Sequence, residues 1–255
     1  VPNERLRGAL SSRGISIARC AELVGVDYKT VERWITANRV PHRSHREATA
    51  KLLGVDETYL WPSVADDTRA AASSRAELVD FFASRSAVPP ELWRSLIDSA
   101  ETSIDVLAFA GQFLPEIHDV YRIAKRAAEG CRVRLLLGDP NGTAVRERGE
   151  EEGVGLGVAH RVVLTMRYYA PILDSGNIEL RLHDRTLYAS IYRGDEMMLV
   201  NAHTYGAAAA QNPVLQLRQL PGGRVFDHYL RSFDRVWANA TAVNNIDDVI
   251  SQFKE

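Results

Sequence analysis

Residues 16–36, SIARCAELVGVDYKTVERWIT, constrain this chain more than any other stretch, because they set Ala21, Gly25 and Val31 where a helix-turn-helix needs them. Two short helices that cross steeply require a small side chain where they touch, and Ala21 supplies it. The chain must then reverse within about three or four residues, which favours a left-handed backbone that Gly25 adopts without a Cβ penalty. Val26 and Val31 turn inward with Leu23, Trp34 and Ile35 to form a small core. Asp27 stands just ahead of the second helix as an N-cap, its carboxylate placed to accept from the backbone amides of Lys29 or Thr30.

Burying Val31, Trp34 and Ile35 leaves Tyr28, Lys29, Glu32, Arg33 and Thr36 on the opposite helix face. That set suits the major groove of DNA. Lys29 and Arg33 donate to guanine O6 and N7, Tyr28 and Thr30 reach phosphates or a thymine methyl, and Glu32 accepts from cytosine N4. The following NRVPHRSHR places Arg39, His42, Arg43 and Arg46 in a loop and helix start, where phosphate contacts are expected. The competing reading is a charged, solvated helix on some other helical domain. It requires the Ala, Gly and Val spacing and the cationic loop to coincide by accident.

At 255 residues the chain accommodates a small domain and one of ordinary size. A hydrophobic share of 45% with 25% charged residues matches a soluble globular protein rather than a disordered chain. No apolar run approaches the ~20 residues of a membrane span, and VPNERLRGAL reads as an amphipathic helix rather than a signal peptide. The expected location is the cytoplasm, on the nucleoid, with no membrane partner. Cys20 and Cys131 fall in different domains and are not expected to pair. The net charge of −2 does not by itself indicate nucleic acid, but it is unevenly shared. Residues 1–62 hold ten Lys/Arg against seven Asp/Glu, a net of +3, and the remainder 21 against 26, a net of −5. So small an excess suits a dimer, which doubles the basic footprint.

The chain divides near residue 63. HREATAKLLG forms a fourth helix ending at Gly54, and VDETYLWP a short fifth whose Tyr59, Leu60 and Trp61 close the core before Pro62 stops it. Residues 1–62 are thus read as an all-α helix-turn-helix domain. Residues 63–75, SVADDTRAAASSR, are small and polar and read as a linker with one helical turn. Residues 76–255 alternate strand and helix patterns. PPELWRSLIDSA is a helix with Leu92, Leu96 and Ile97 at helical spacing, SIDVLAFAG a strand, 115–129 a helix ended by Gly130, and CRVRLLLG a second strand. This β-α-β order implies parallel pairing. Residues 143–170 are mainly helical, interrupted at GEEEGVGLG. NIELRLHD, RTLYASIYR, EMMLVNAHT and VLQLRQL follow as short strands, and RVFDHYLRSFDRVWANA as an amphipathic helix with Phe226, Tyr229, Leu230, Phe233 and Trp237 on one face. The class is α/β with a mixed sheet.

The glycines of GVGLG follow an acidic run inside a helical region instead of linking a strand to a helix, which argues against a dinucleotide site. His118, His160, His183, His203 and His228 lack metal-ligand spacing, and no CxxC, HExxH or GxSxG occurs, so neither metal nor cofactor is expected. One polar constellation stands out. NIELRLHD runs to His183 with Arg185 two residues on, and EMMLVNAHT ends on Asn201 and His203. Strand alternation puts each pair on one side. If the two strands are neighbours, four polar groups meet in a set that suits a phosphate or other anion. If they are not, these are turn residues at strand ends, separately solvated.

The first 62 residues resemble the Cro and phage-repressor class of regulators, the xenobiotic-response-element (XRE) class, through SIARCAELVGVDYKTVERWI. The second part resembles the phospholipase D-like fold through DSAETSIDVLAFAG, the helix to AAEGCRVRLLLGDP and the strand holding His183, over most of residues 88–238. Together they look like bacterial one-component transcriptional regulators that join a repressor-type reader to a phospholipase D-like domain. Active enzymes of that fold carry HxKxxxxD, whose histidine attacks phosphorus, then a glycine, a serine and an asparagine on the next strand. On this pattern His183 takes the histidine position, Arg185 the lysine and Ser190 the aspartate, while the next strand offers Asn201 and His203 without the glycine and serine. Arginine still binds phosphate, but losing the aspartate removes the group that orients the histidine.

The resemblance therefore implies a pseudoenzyme that keeps an anion pocket of His183, Arg185, Ser190, Asn201 and His203, with His183 the catalytic residue if activity survives. Single-domain members of the fold pair two copies about a two-fold axis, and only one HxK-like motif occurs here, which implies a homodimer. The reading of palindromic operators implies the same symmetry. The expected function is a dimeric, sequence-specific transcriptional regulator that binds double-stranded DNA and senses a small anionic or phosphorylated ligand. The alternatives are a phosphodiesterase or nuclease brought to DNA by its first domain, and an adaptor that recruits a protein partner.

Overall fold

A computed structural model describes residues 2–117 and 120–253 and divides the chain into two compact units, Val1–Ala72 and Ser73–Glu255. The first unit is helical throughout. Asn3 caps α1 (Glu4–Ser12): its side chain accepts from the Leu6 amide and donates to the Leu60 carbonyl, each at 2.9 Å. Its backbone N–H also donates to the Ile35 carbonyl at 2.6 Å, so one buried residue ties three segments together. α2 (Ile17–Val24) starts at Ser16, whose hydroxyl accepts from the Arg19 amide, and ends on Gly25 at φ 76°, ψ 40°. A Cβ at Gly25 would meet nothing within 4 Å, so the left-handed backbone, and not lack of space, selects glycine. The chain then enters α3 (Tyr28–Thr36). Asp27 has the extended backbone of an N-cap, but its side chain makes no cap bond; its carbonyl accepts from the Thr30 and Val31 amides instead.

α4 (Arg43–Leu53) and α5 (Glu57–Leu60) complete a core in which Leu6, Cys20, Val31, Trp34, Leu53, Leu60 and Trp61 are fully buried. Trp34 and Trp61 meet edge to face, 6.3 Å between centroids. Leu23 and Tyr59, both assigned to this core from the sequence, are 48% and 51% exposed. Cys20, Ala21 and Val24 already fill the inward face of α2, and Tyr59 lies instead beneath the guanidinium of Arg5, 5.7 Å from its ring. α5 ends at Leu60, just short of Pro62 as expected, and Pro62 in turn opens α6 (Pro62–Ala76), at a position that needs no N–H. The span 63–75, expected as a linker, is therefore helical, consistent with its alanines and arginines.

In the second unit, β1 (Leu78–Phe82) leads through a 3-10 turn at 85–87 to α7 (Pro90–Asp98) and β2 (Ser103–Leu107). α8 (Phe113–Ile117) and α9 (Val120–Ala128) precede β3 (Arg132–Gly138), and α10 (Thr143–Glu151) and α11 (Gly157–Tyr169) precede β4 (Ile178–His183). β5 (Ala189–Gly194), β6 (Met197–Ala202) and β7 (Val214–Arg218) follow, then α12 (Val225–Ala238), β8 (Thr241–Ala242) and α13 (Ile246–Gln252). The eight strands form one mixed sheet in the order β1-β7-β6-β5-β2-β3-β4-β8. β2, β3 and β4 are parallel, as the β-α-β pattern implies, and the remaining pairs are antiparallel. β1, β8 and α13 have no counterpart in the sequence reading.

Every residue of β2 is buried, and of β3 all but Arg132. Such two-sided burial is what a central parallel strand requires. Asp105 on β2 lies in register with Arg134 on β3 and Arg193 on β5. Arg134 forks onto its carboxylate at 2.6 and 2.9 Å, and Arg193 reaches it at 2.6 Å. Arg134 also bonds Asp234 at 2.8 Å and lies over the rings of Phe233 and Trp237, so this charge cluster fastens α12 to the sheet. The GVGLG glycines are structural. Gly153 and Gly155 take φ of 70° and 50°, and a Cβ on Gly149 would stand 1.9 Å from the Gly155 carbonyl oxygen. They fold the chain back between α10 and α11.

Candidate functional site

Two surfaces merit attention, one in each unit. On α3, Tyr28, Lys29, Arg33 and Thr36 are exposed, and Arg39 follows just beyond Asn38, which turns the chain at φ 48°. Thr30 and Glu32 are half-buried. Thr36 spends its hydroxyl on the Glu32 carbonyl at 2.8 Å, leaving its methyl as the outward group. Thr30, Arg33, Arg39 and His42 share one concavity between the α2–α3 turn and the loop before α4. The other cations of this region are engaged: Arg43 pairs with Glu47 at 2.8 Å, and Arg46 with Glu57 at 3.2 Å and the Pro41 carbonyl at 3.1 Å.

In the sheet unit the five residues expected to form one pocket are separated. β4 and β6 are not neighbours, since β5, β2 and β3 lie between them. His183 is 2% exposed, and both its ring nitrogens are occupied: Nε2 donates to the Ala108 carbonyl at 3.2 Å and Nδ1 accepts from the Arg185 amide at 3.3 Å. Burial holds its pKa below the usual value. The Arg185 side chain is exposed. Asn201 is buried and donates to the carbonyls of Asn212 and Pro213 at 3.1 and 3.2 Å, which fixes the loop entering β7.

Ser190 and His203 do meet. The Ser190 hydroxyl donates to His203 Nε2 at 3.0 Å, and His203 Nδ1 donates to the Leu187 carbonyl at 3.2 Å, an assignment that defines a neutral Nδ1–H tautomer. Burial, with help from Arg148 and Arg85 and against the Leu187 carbonyl, pushes the His203 pKa down to about 4. Phe109 separates the two histidines, its ring centroid 6.0 Å from that of His183 and 5.6 Å from that of His203, on which it stacks.

Ser190 and His203 open on a cavity of about 180 Å³ whose other polar residues include Arg85, Arg148, Glu152 and Arg161, with Phe109, Phe113 and Tyr192 among its walls. None of these seven was singled out from the sequence. Arg148 and Glu152 sit four apart, a detectable helical pair, but Arg85 and Phe113 reach the cavity from segments with no local signal. Arg148 is consumed by structure: its Nε bonds Glu152 at 2.8 Å, and its terminal nitrogens bond Glu151 at 3.2 Å and the Ala207 carbonyl at 2.7 Å. The cysteines, Cys20 and Cys131, are buried free thiols. His118 lies outside the described residues, among which no group of His, Cys, Asp and Glu converges as a metal site. Among the described residues no helix is long and apolar enough to cross a membrane.

Residues 75–244, two thirds of the chain, match the model of a family described as a domain of unknown function, DUF5919. The chain belongs to this family. No curated protein matches it. Among solved structures, the DUF5919 chain is similar to a phospholipase D family member, Nuc, from Salmonella typhimurium, at 16% identity and a TM-score of 0.41, over 61% of this chain and 90% of that one. It is also similar to TrmBL2, an archaeal chromatin protein described as showing a novel mode of DNA binding, at 13% identity and a TM-score of 0.42, over 94% and 93% of the two chains. A third similar structure is phosphatidylserine synthase of Haemophilus influenzae Rd KW20, at 14% identity and a TM-score of 0.41, where the match spans 74% of this chain and 46% of the synthase.

Proposed function

We propose that this protein is a dimeric, sequence-specific DNA-binding transcriptional regulator. The observation that carries the reading is the α2–Gly25–α3 arrangement: a left-handed glycine joins two short helices, and the second presents Tyr28, Lys29, Arg33 and Thr36 to solvent with Arg39 beyond it. It supports reading α2 and α3 as a helix-turn-helix whose second helix enters the major groove. On this reading Lys29 and Arg33 contact guanines, Tyr28, Thr30, Glu32 and Thr36 contact neighbouring base edges or the backbone, and Arg39 and Arg43 contact phosphate. A homodimer on a palindromic operator gives the modest basic excess of the first unit sufficient reach, and places the protein on the nucleoid.

The sheet unit, in our reading, is a degenerate phospholipase D-like domain that senses a small anionic ligand rather than cleaving phosphodiesters. His183 supports this, because a nucleophile on phosphorus needs a free ring nitrogen and both of its nitrogens are bonded to backbone. The test is selection of bound duplexes from a random pool with the full chain, with footprinting at two salt concentrations. A palindrome with half-sites about one helical turn apart is the expected result. Absence of any enriched sequence would overturn the regulator reading, and hydrolysis of bis(p-nitrophenyl) phosphate that is lost in His183→Ala would overturn the assignment of the sheet unit.

A further inference from the structure

The Ser190–His203 cavity is more specific about its occupant than a general anion site. Arg85 stacks its guanidinium on the Phe113 ring, 4.4 Å from the centroid, and its N–H groups meet no hydrogen-bond acceptor among the described residues. Stacking of this kind fixes the plane of an arginine while leaving its edge available to an incoming carboxylate or phosphate. Arg161 is a second source of positive charge. Its nearest nitrogen stands 3.5 Å from Glu152 Oε2, an ion contact too long to be a good hydrogen bond, and that oxygen is buried without a hydrogen-bond partner among the described residues. The pair is therefore loosely closed, and Arg161, 39% exposed, has room to turn.

Charge and size narrow the class. Of the three arginines in the lining, Arg148 is paired with Glu151 and Glu152 and Arg161 faces Glu152, while His203 is neutral, so Arg85 is the lining cation with no carboxylate in contact among the described residues. One negative charge on a ligand is matched there and a second is not. The volume of about 180 Å³ compares with roughly 150 Å³ for an engineered cavity that accepts benzene. Phe109 provides an apolar wall and Ser190 a hydroxyl oxygen that can accept from a substituent.

We propose that this cavity binds a ring-sized organic monocarboxylate, its carboxylate on the edge of Arg85 and its ring against Phe109 and Phe113. Binding itself is independent of DNA; only its regulatory consequence rests on the sensing role proposed above. The experiment is titration of the full-length protein, without DNA, with benzoate, 4-hydroxybenzoate, benzamide, acetate and inorganic phosphate, followed by calorimetry and by the imidazole resonances of His203. Benzoate or 4-hydroxybenzoate should bind in a saturable way and shift His203, with benzamide and acetate much weaker. Arg85→Gln should weaken binding by roughly ten- to a hundredfold, as loss of a charge-assisted pair does, while Arg161→Gln, which leaves the Phe113 stack untouched, should weaken it less. Saturable binding of phosphate in preference to the aromatic acids, or aromatic binding indifferent to Arg85→Gln in a folded variant, would overturn the proposal. Either result leaves the operator selection unaffected, so the two readings fail separately.

Discussion

Replacing His203 with glutamine should flatten the acid limb of the sheet unit's stability. Burial holds this imidazole neutral, with its pKa down to about 4 against an ordinary value of 6.5, so between those two values the unfolded chain binds the proton and the folded chain does not. The contribution of neutral His203 is thus fully present above pH 6.5 and is lost as the pH falls toward 4. At ~1.4 kcal/mol per pKa unit the loss comes to about 2 kcal/mol at pH 5 and about 3 kcal/mol below pH 4. Glutamine retains an oxygen near the Nε2 position to accept from Ser190 but does not titrate. The assay is urea unfolding of both full-length proteins between pH 7.5 and 5, read from the amide resonances of β2 and β3. His183 titrates in the same direction in both and cancels in the comparison. Parallel acid limbs, or an NMR midpoint of His203 near 6.5, would refute the reasoning.

Three further perturbations bear on other parts of the molecule. Gly25→Ala should destabilise the helical unit by about 1–2 kcal/mol, the cost of a left-handed L-residue, since no clash contributes; an unchanged melting midpoint would show that the turn relaxes freely. Asp105→Asn leaves Arg134 and Arg193 without their shared carboxylate and should cost about 3–5 kcal/mol in denaturant melts, whereas a loss below about 1 kcal/mol would mean that water reaches the cluster. On the selected operator, Arg33→Ala should lose roughly 1–3 kcal/mol with relaxed base preference, while Arg39→Ala should weaken all duplexes alike and reduce the salt slope by about one. Arg43 is the poorer probe of phosphate contact, since it is already paired with Glu47. Equal losses on specific and random duplexes for both variants would reverse the assigned roles.

The turn at Gly25 and the faces of α3 were legible because the glycine and the helical spacing that mark them lie within Ser16–Thr36, although Asn3 and Trp61 also pack or bond there. Periodicity alone placed Val31, Trp34 and Ile35 inside. It failed for Leu23 and Tyr59, where an apolar residue competes with equally apolar neighbours for one inward face, and a helical wheel does not say which wins. Pro62 marks the end of α5, but proline also begins helices, and only the residues after it decide whether a new one follows. The strands from Ser103 onward could be read individually, whereas their lateral order could not. That order alone separates His183 from His203 by three strands while leaving Phe109 in contact with both. The cavity was illegible for a related reason, since Arg85, Glu152 and Arg161 lie on a 3-10 turn, a helix end and a helix, all far in sequence from Ser190. β8, two residues long, carries no pattern to recognise.

β1 is an edge strand whose one partner among the described strands is β7, so Leu78–Phe82 stays unpaired on the ribosome until Val214–Arg218 has emerged. Leu78, Val79 and Phe81 remain about half exposed even in the finished sheet, and during synthesis they form an open apolar template for strand pairing. The core of the helical unit is drawn from residues between Leu6 and Val64. A translating ribosome therefore carries the residues of the helical core ahead of a sheet that still lacks its last strands; slow elongation through the second unit prolongs, and a stop codon before Val214 makes permanent, the state in which the LVDFF segment is free to join another copy's.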